Sequence, residues 1–155
     1  MLRASLLFLL ACLGTAPAQA QSSNSENAAV REVITSFFDG MRQGDSAKVR
    51  RTLAPGVVFH VIKKDKASGQ AALAIESHRE FLKAVGTPHP EIWEERISFE
   101  QVLIDASLAS VWTPYQFYVG PKFSHCGYNS FQLIKLAEGW KIAHIIDTRC
   151  KEGCK

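Results

Sequence analysis

Leu108-Ala109-Ser110-Val111-Trp112-Thr113-Pro114-Tyr115-Gln116-Phe117-Tyr118-Val119 is the stretch that decides the fold class. β-Branched and aromatic residues dominate it, the composition of a strand. Alternation divides its side chains between two faces. Val111, Thr113, Tyr115, Phe117 and Val119 fall on one, and Trp112, Gln116 and Tyr118 on the other. Three further runs of the same character surround it: Ile97 to Asp105, Phe123 to Leu136 and Trp140 to Thr148. The links between them are short, Ala106-Ser107, Gly120-Pro121-Lys122 and Ala137-Glu138-Gly139. That spacing predicts an antiparallel meander. The runs exceed the ~5–6 residues of a usual strand, so the sheet has to twist and curl. Pro114 and Gly127 are the expected bend or bulge points.

Helical periodicity lies upstream. Val30, Val33, Ile34, Phe37, Phe38 and Met41 form one apolar stripe, and Gly44 stops it. Asp45 caps a second short helix that runs to about Leu53. Val57 to Ile62 reads as a strand, and Ala71 to Ile75 as its short return strand. Ser77-His78-Arg79-Glu80 matches a capping box and opens a third helix from His78 to about Val85. Helices first and a long meander afterwards give an α+β layout. A curled sheet with helices across its concave face encloses a pocket.

The first twenty residues read as a secretory signal peptide: Arg3, an apolar run from Leu6 to Leu13, and Ala18-Gln19-Ala20 as the cleavage site. The run is shorter than the ~20 residues that span a membrane, so no membrane span is expected. Leu9-Leu10-Ala11-Cys12 is similar to a lipoprotein box, but few residues precede Cys12, and cleavage after Ala20 is the expectation. Residues 21–27 then form a flexible leader and 28–155 the folded domain. The protein is expected to be secreted or periplasmic.

The whole chain has 155 residues, 46% hydrophobic and 21% charged, which suits one globular domain and excludes a disordered chain. Removing Arg3 with the leader takes the formal charge from +3 to +2. So small an excess, scattered along the chain, gives no nucleic-acid footprint. Export favours disulfides. Cys126, Cys150 and Cys154 remain after cleavage, an odd number, so one bridge forms at most.

The sequence from Ala109 onward is similar to the nuclear transport factor 2-like superfamily, and to its exported bacterial branch labelled lumazine-binding. The resemblance rests on Val111 to Tyr118, Ser124-His125-Cys126-Gly127, Phe131-Gln132-Leu133, Gly139-Trp140-Lys141-Ile142, Asp147-Thr148-Arg149 and Cys154. It implies a cone-shaped α+β barrel, a pocket and a homodimer. It implies a bridge from Cys126 to Cys154. Cys150 stands where the family more often has a basic residue, so a Cys126–Cys150 bridge stays open as well. No single reaction follows, because the fold serves many.

Tyr115, His125 and Asn129 are expected on one concave wall, with Phe117 and Phe131 beside them as apolar lining. A phenol, an imidazole and an amide in an apolar surround are the usual parts of a small-molecule site. Tyr115 suits an oxyanion donor and His125 a general acid or base; equally, both suit structural roles in the wall. Asp147 becomes the best base if it faces the pocket, but simple alternation sets it opposite Trp140, Ile142, His144 and Ile146. Asp147 and Arg149 would otherwise pair with each other. His60, His125 and His144 carry no metal-binding spacing, and no metal or cofactor is expected. There is no P-loop, nucleophile elbow or dinucleotide fingerprint. Three readings follow: a binding pocket for a small, partly apolar molecule, a proton-transfer enzyme of the isomerase, cyclase or dehydratase kind, and a dimeric interaction module with a filled pocket.

Overall fold

A computed structural model describes residues 18–65 and 67–154. Helix α1 (Ala18–Gln43) buries Val30, Ile34, Phe37, Phe38 and Met41, the stripe its periodicity predicts. It begins earlier than expected and takes in residues 21–27. In this part of the helix the Glu26 carboxylate accepts from Lys135 Nζ at 2.7 Å and from Trp140 Nε1 at 2.8 Å. The Leu6–Leu13 run and Cys12 lie outside the described residues. Helix α2 (Ser46–Thr52) is capped by Asp45, whose carboxylate accepts from Lys48 N at 2.8 Å. Helix α3 (His78–Gly86) is capped by Ser77 and buries Leu82 and Val85. No helix among the described residues is long and apolar enough to cross a membrane.

The strands are β1 (Leu53–Lys64), β2 (Ala71–Glu76), β3 (Trp93–Ile97), β4 (Gln101–Asp105), β5 (Leu108–Val119), β6 (Lys122–Leu136) and β7 (Gly139–Thr148). They make one open seven-stranded sheet in the order β2-β1-β7-β6-β5-β3, with β4 also on β5. The meander is antiparallel as expected, but β1 lies parallel to β7, so the sheet is mixed rather than wholly antiparallel. The architecture is an α+β cone, with α1 and α3 on the inner face of the sheet against Phe59, Val111, Phe131, Leu133, Ile142 and Ile145.

Three irregularities depart from plain alternation. The expected single run Ile97–Asp105 is two strands, β3 and β4, with Ser98–Glu100 bulging opposite Thr113 and Pro114. Pro114 has no N–H to give at the break, and its carbonyl accepts from Ser98 N at 3.3 Å. Between β5 and β6 the bulge is at Ser124 and not at Gly127: Phe117 pairs with His125 but Tyr118 with Phe123. Phe123 therefore leaves the face of His125. Between β6 and β7, Leu133 pairs with Ile142 and Gln132 with His144, leaving Ala143 as the extra residue. An extra residue resets the alternation. Beyond it Ile145 and Asp147 join Trp140 and Ile142 on the inner face, while His144 turns outward.

Candidate functional site

Between the inner face of the sheet and helices α1 and α3 lies a cavity of about 80 Å³. Its floor is aromatic: Phe37 and Phe38 from α1, Phe81 from α3, Phe59 from β1 and Phe131 from β6. These rings brace one another, Phe37 stacked on Phe81 at 5.6 Å and Phe59 edge-on to Phe81 at 5.6 Å. Its other end is polar, formed by Glu95, Asn129, Asp147, Glu76 and Arg149.

Glu95 stands on β3 between Trp93 and Ile97, the two residues that share its face. Asn129 Nδ2 donates to Glu95 Oε1 at 2.7 Å. Glu95 has no ion pair among the described residues. Burial pushes its carboxyl up to about 7, with the neighbouring Asp147 adding to the rise and the Asn129 hydrogen bond opposing it. Asp147, turned inward by the bulge at Ala143, is also raised by burial, against the pull of Arg149. Arg149 donates from Nε to Asp147 Oδ1 at 3.0 Å and from Nη2 to Glu76 Oε2 at 3.1 Å. Glu76 takes a further bond from Lys63 Nζ at 2.9 Å. Burial works against the Glu76 carboxylate, but Lys63 and Arg149 outweigh it and hold it low. The mouth is thus a chain of alternating charges, Lys63, Glu76, Arg149 and Asp147, beside which Glu95 lies without an ion pair among the described residues.

The expected site residues divide. Asn129, Phe131 and Asp147 line the cavity. Tyr115 is buried, and its Oη donates to Thr148 O at 2.9 Å. Burial, with Asp147 nearby, pushes that phenol up, so it stays neutral. His125 packs edge-on to Tyr115 at 5.7 Å and against Phe117 at 5.1 Å. It opens on a second, shallower hollow of about 510 Å³ with Lys64, Ser124, Arg149, Cys150, Lys151 and Glu152. Burial, aided by Arg149, pushes its imidazole down to about 4 and leaves it uncharged at neutral pH. His60 Nδ1 and His144 Nε2 share a hydrogen bond of 2.8 Å, away from His125. No group of three metal-ligating side chains occurs among the described residues. Cys126 is bonded to Cys154, with Cα atoms 5.8 Å apart, and Cys150 is free.

Glu95 and Glu76 were not among the expected site residues. The signal for Glu95 is the alternation Trp93, Glu95, Ile97, which places one acid between two apolar inward positions.

No family model and no curated protein matches the sequence. Solved structures do match the fold. A nuclear transport factor 2-like protein of unknown function from Shewanella baltica is 14% identical, with 88% of this chain and 100% of that chain covered at a TM-score of 0.62. A nuclear transport factor 2-like protein with a cystatin-like fold from Novosphingobium aromaticivorans is 11% identical over 85% of this chain and 86% of that chain, at 0.67. A conserved protein from Planctomyces limnophilus is 19% identical over 82% of this chain and 98% of that chain, at 0.67. The chain therefore has the nuclear transport factor 2-like fold.

Proposed function

We propose that the cone cavity admits a small, partly apolar molecule and that Glu95 exchanges a proton with it. One observation carries the reading: a carboxyl at the polar end of an aromatic cavity, held by the Asn129 amide and in no ion pair among the described residues. With its pKa lifted to about 7, both protonation states are populated at neutral pH. That suits a group which takes a proton from one atom of a substrate and returns it to another. The reaction class is proton transfer of the isomerase or dehydratase kind. Binding alone is the second reading, favoured by the aromatic floor.

Size and charge narrow the substrate. A cavity of about 80 Å³ is well below the roughly 300–1,000 Å³ of a site for drug-sized molecules. It suits a molecule of a few heavy atoms, or one end of a longer one. Glu76, Glu95 and Asp147 face a single guanidinium, Arg149, at its wall, which favours a neutral or cationic guest over an anion.

The test is a thermal-shift panel of small neutral carbonyl compounds, followed by deuterium uptake from heavy water for every compound that shifts the melt. A ligand at ~100 times its Kd adds ~2.7 kcal/mol. Wild type is expected to speed exchange into the ligand, and Glu95→Gln to lose that rate by ~100-fold or more. Equal rates in the two proteins would remove Glu95 from the chemistry and leave the binding reading. A panel without hits would count against both.

The Cys126–Cys154 bridge supports a place outside the cytoplasm, in keeping with a leader cleaved after Ala20. A homodimer through the outer sheet face is supported by Trp112, stacked on Tyr128 at 5.1 Å and 41% exposed. Sedimentation at micromolar concentration is expected to give twice the chain mass, and a monomer would remove that assembly.

A further inference from the structure

We propose that Cys126, Cys150 and Cys154 form a thiol–disulfide exchange centre in which the free thiol moves between residues 150 and 154. Three observations place the groups. Cys126 on β6 stands directly opposite Cys150, just past the end of β7, and each donates its N–H to the other's carbonyl at 2.9 Å. The Cys150 Sγ lies 3.5 Å from the Cys126 Sγ, which is already bonded to Cys154. Cys126 is 2% exposed, so a thiol from solution does not reach it, whereas Cys150 is exposed. The group placed to attack the buried sulfur is therefore the chain's own third cysteine.

The step is an exchange with no net oxidation. Cys150 loses its proton to solvent, and the thiolate attacks the Cys126 Sγ. A Cys150–Cys126 bond forms as the Cys126–Cys154 bond breaks. The electron pair leaves on Cys154, which takes a proton from solvent. Antiparallel partners that exchange both backbone bonds have Cα atoms about 5.5 Å apart, within the roughly 4.4–6.8 Å span a disulfide bridges. The product bond thus fits the ladder already present. The exchange breaks the tether of Cys154 to the sheet and places the thiol on that exposed segment. The hollow beside His125, where Cys150 lies, gives solvent its access.

The sequence supplies its own readout, because trypsin cuts after Arg149 and Lys151 and so separates Cys150 from Cys154. Oxidised protein is held at pH 8 without reductant, trapped at intervals with excess N-ethylmaleimide while still folded, and digested with trypsin once no free thiol remains to scramble the bridge. Label is expected on both Cys150 and Cys154, at a ratio that settles within about an hour or sooner. Oxidised Cys154→Ser is expected to form the Cys126–Cys150 bond within one chain, with an unchanged circular dichroism spectrum. Label confined to Cys150 at every time would overturn the proposal. So would a Cys154→Ser chain that keeps its fold but leaves Cys126 and Cys150 reduced, or bridges only between chains.

Discussion

Glu95→Gln is expected to make the folded chain about 3 kcal/mol more stable than wild type at pH 8, and to change it little near pH 4. The carboxyl titrates near 4.5 when unfolded and near 7 when folded. Between those values the folded state holds the proton more tightly, so wild-type stability falls as pH rises through this window. Above it, the full cost of a buried carboxylate is present. Below it, the acid is neutral in both states and the cost vanishes. Glutamine keeps an oxygen for the Asn129 amide and never ionises, so the variant is spared that fall. Urea denaturation of both proteins at intervals from pH 4 to pH 8 measures the difference. Parallel curves would show that Glu95 is not enclosed, and the proton-transfer reading would go with it. An enclosed acid that costs stability at neutral pH is the kind of residue a protein keeps for function.

Gly127→Ala should cost roughly 3 kcal/mol or more, a fall of about 10 °C in Tm. A methyl at residue 127 would stand 1.8 Å from the Thr148 carbonyl oxygen and 2.8 Å from its carbon. These are backbone atoms of the neighbouring strand and have no rotamer by which to move aside. Thr148 is also held twice, through its carbonyl by Tyr115 Oη and through its Oγ1 by Tyr128 N at 3.1 Å. Making room would pull the end of β7 off the sheet, with Asp147 and Arg149 on it. Thermal melts of the two proteins decide the matter, and a Tm within ~2 °C of wild type would mean that this strand end is loosely held.

Much of the fold is legible in local chemistry. The stripe from Val30 to Met41, the Ser77 cap and the alternation of Val111, Thr113 and Tyr115 each report a single element, and each element is present. The site is harder to read because it depends on register and depth. Asp147 faces inward only through the bulge at Ala143, and nothing in Lys141-Ile142-Ala143-His144 distinguishes a bulge from a regular strand. His125 and Phe117 share the inner side with Asn129 and Thr113 but lie four residues along the strands from them. At ~3.3 Å per residue that is ~13 Å, enough to carry them past the cavity. Glu95 is hidden for another reason. The alternation Trp93, Glu95, Ile97 is short, falls before the run expected from Ile97 and is interrupted by the charges of Glu94 and Arg96, and pairing with β5 makes it a strand.

The bulge at Ala143 also bears on how this chain compares with others. Leu133 opposite Ile142 and Gln132 opposite His144 leave one residue that pairing does not require. A chain lacking Ala143 would run in regular alternation and still turn Asp147 toward the cavity. Insertions and deletions ordinarily belong in loops. In this protein a one-residue gap inside a strand is compatible with an unchanged site, so an alignment that forces β7 to be gapless would set Asp147 against the wrong column.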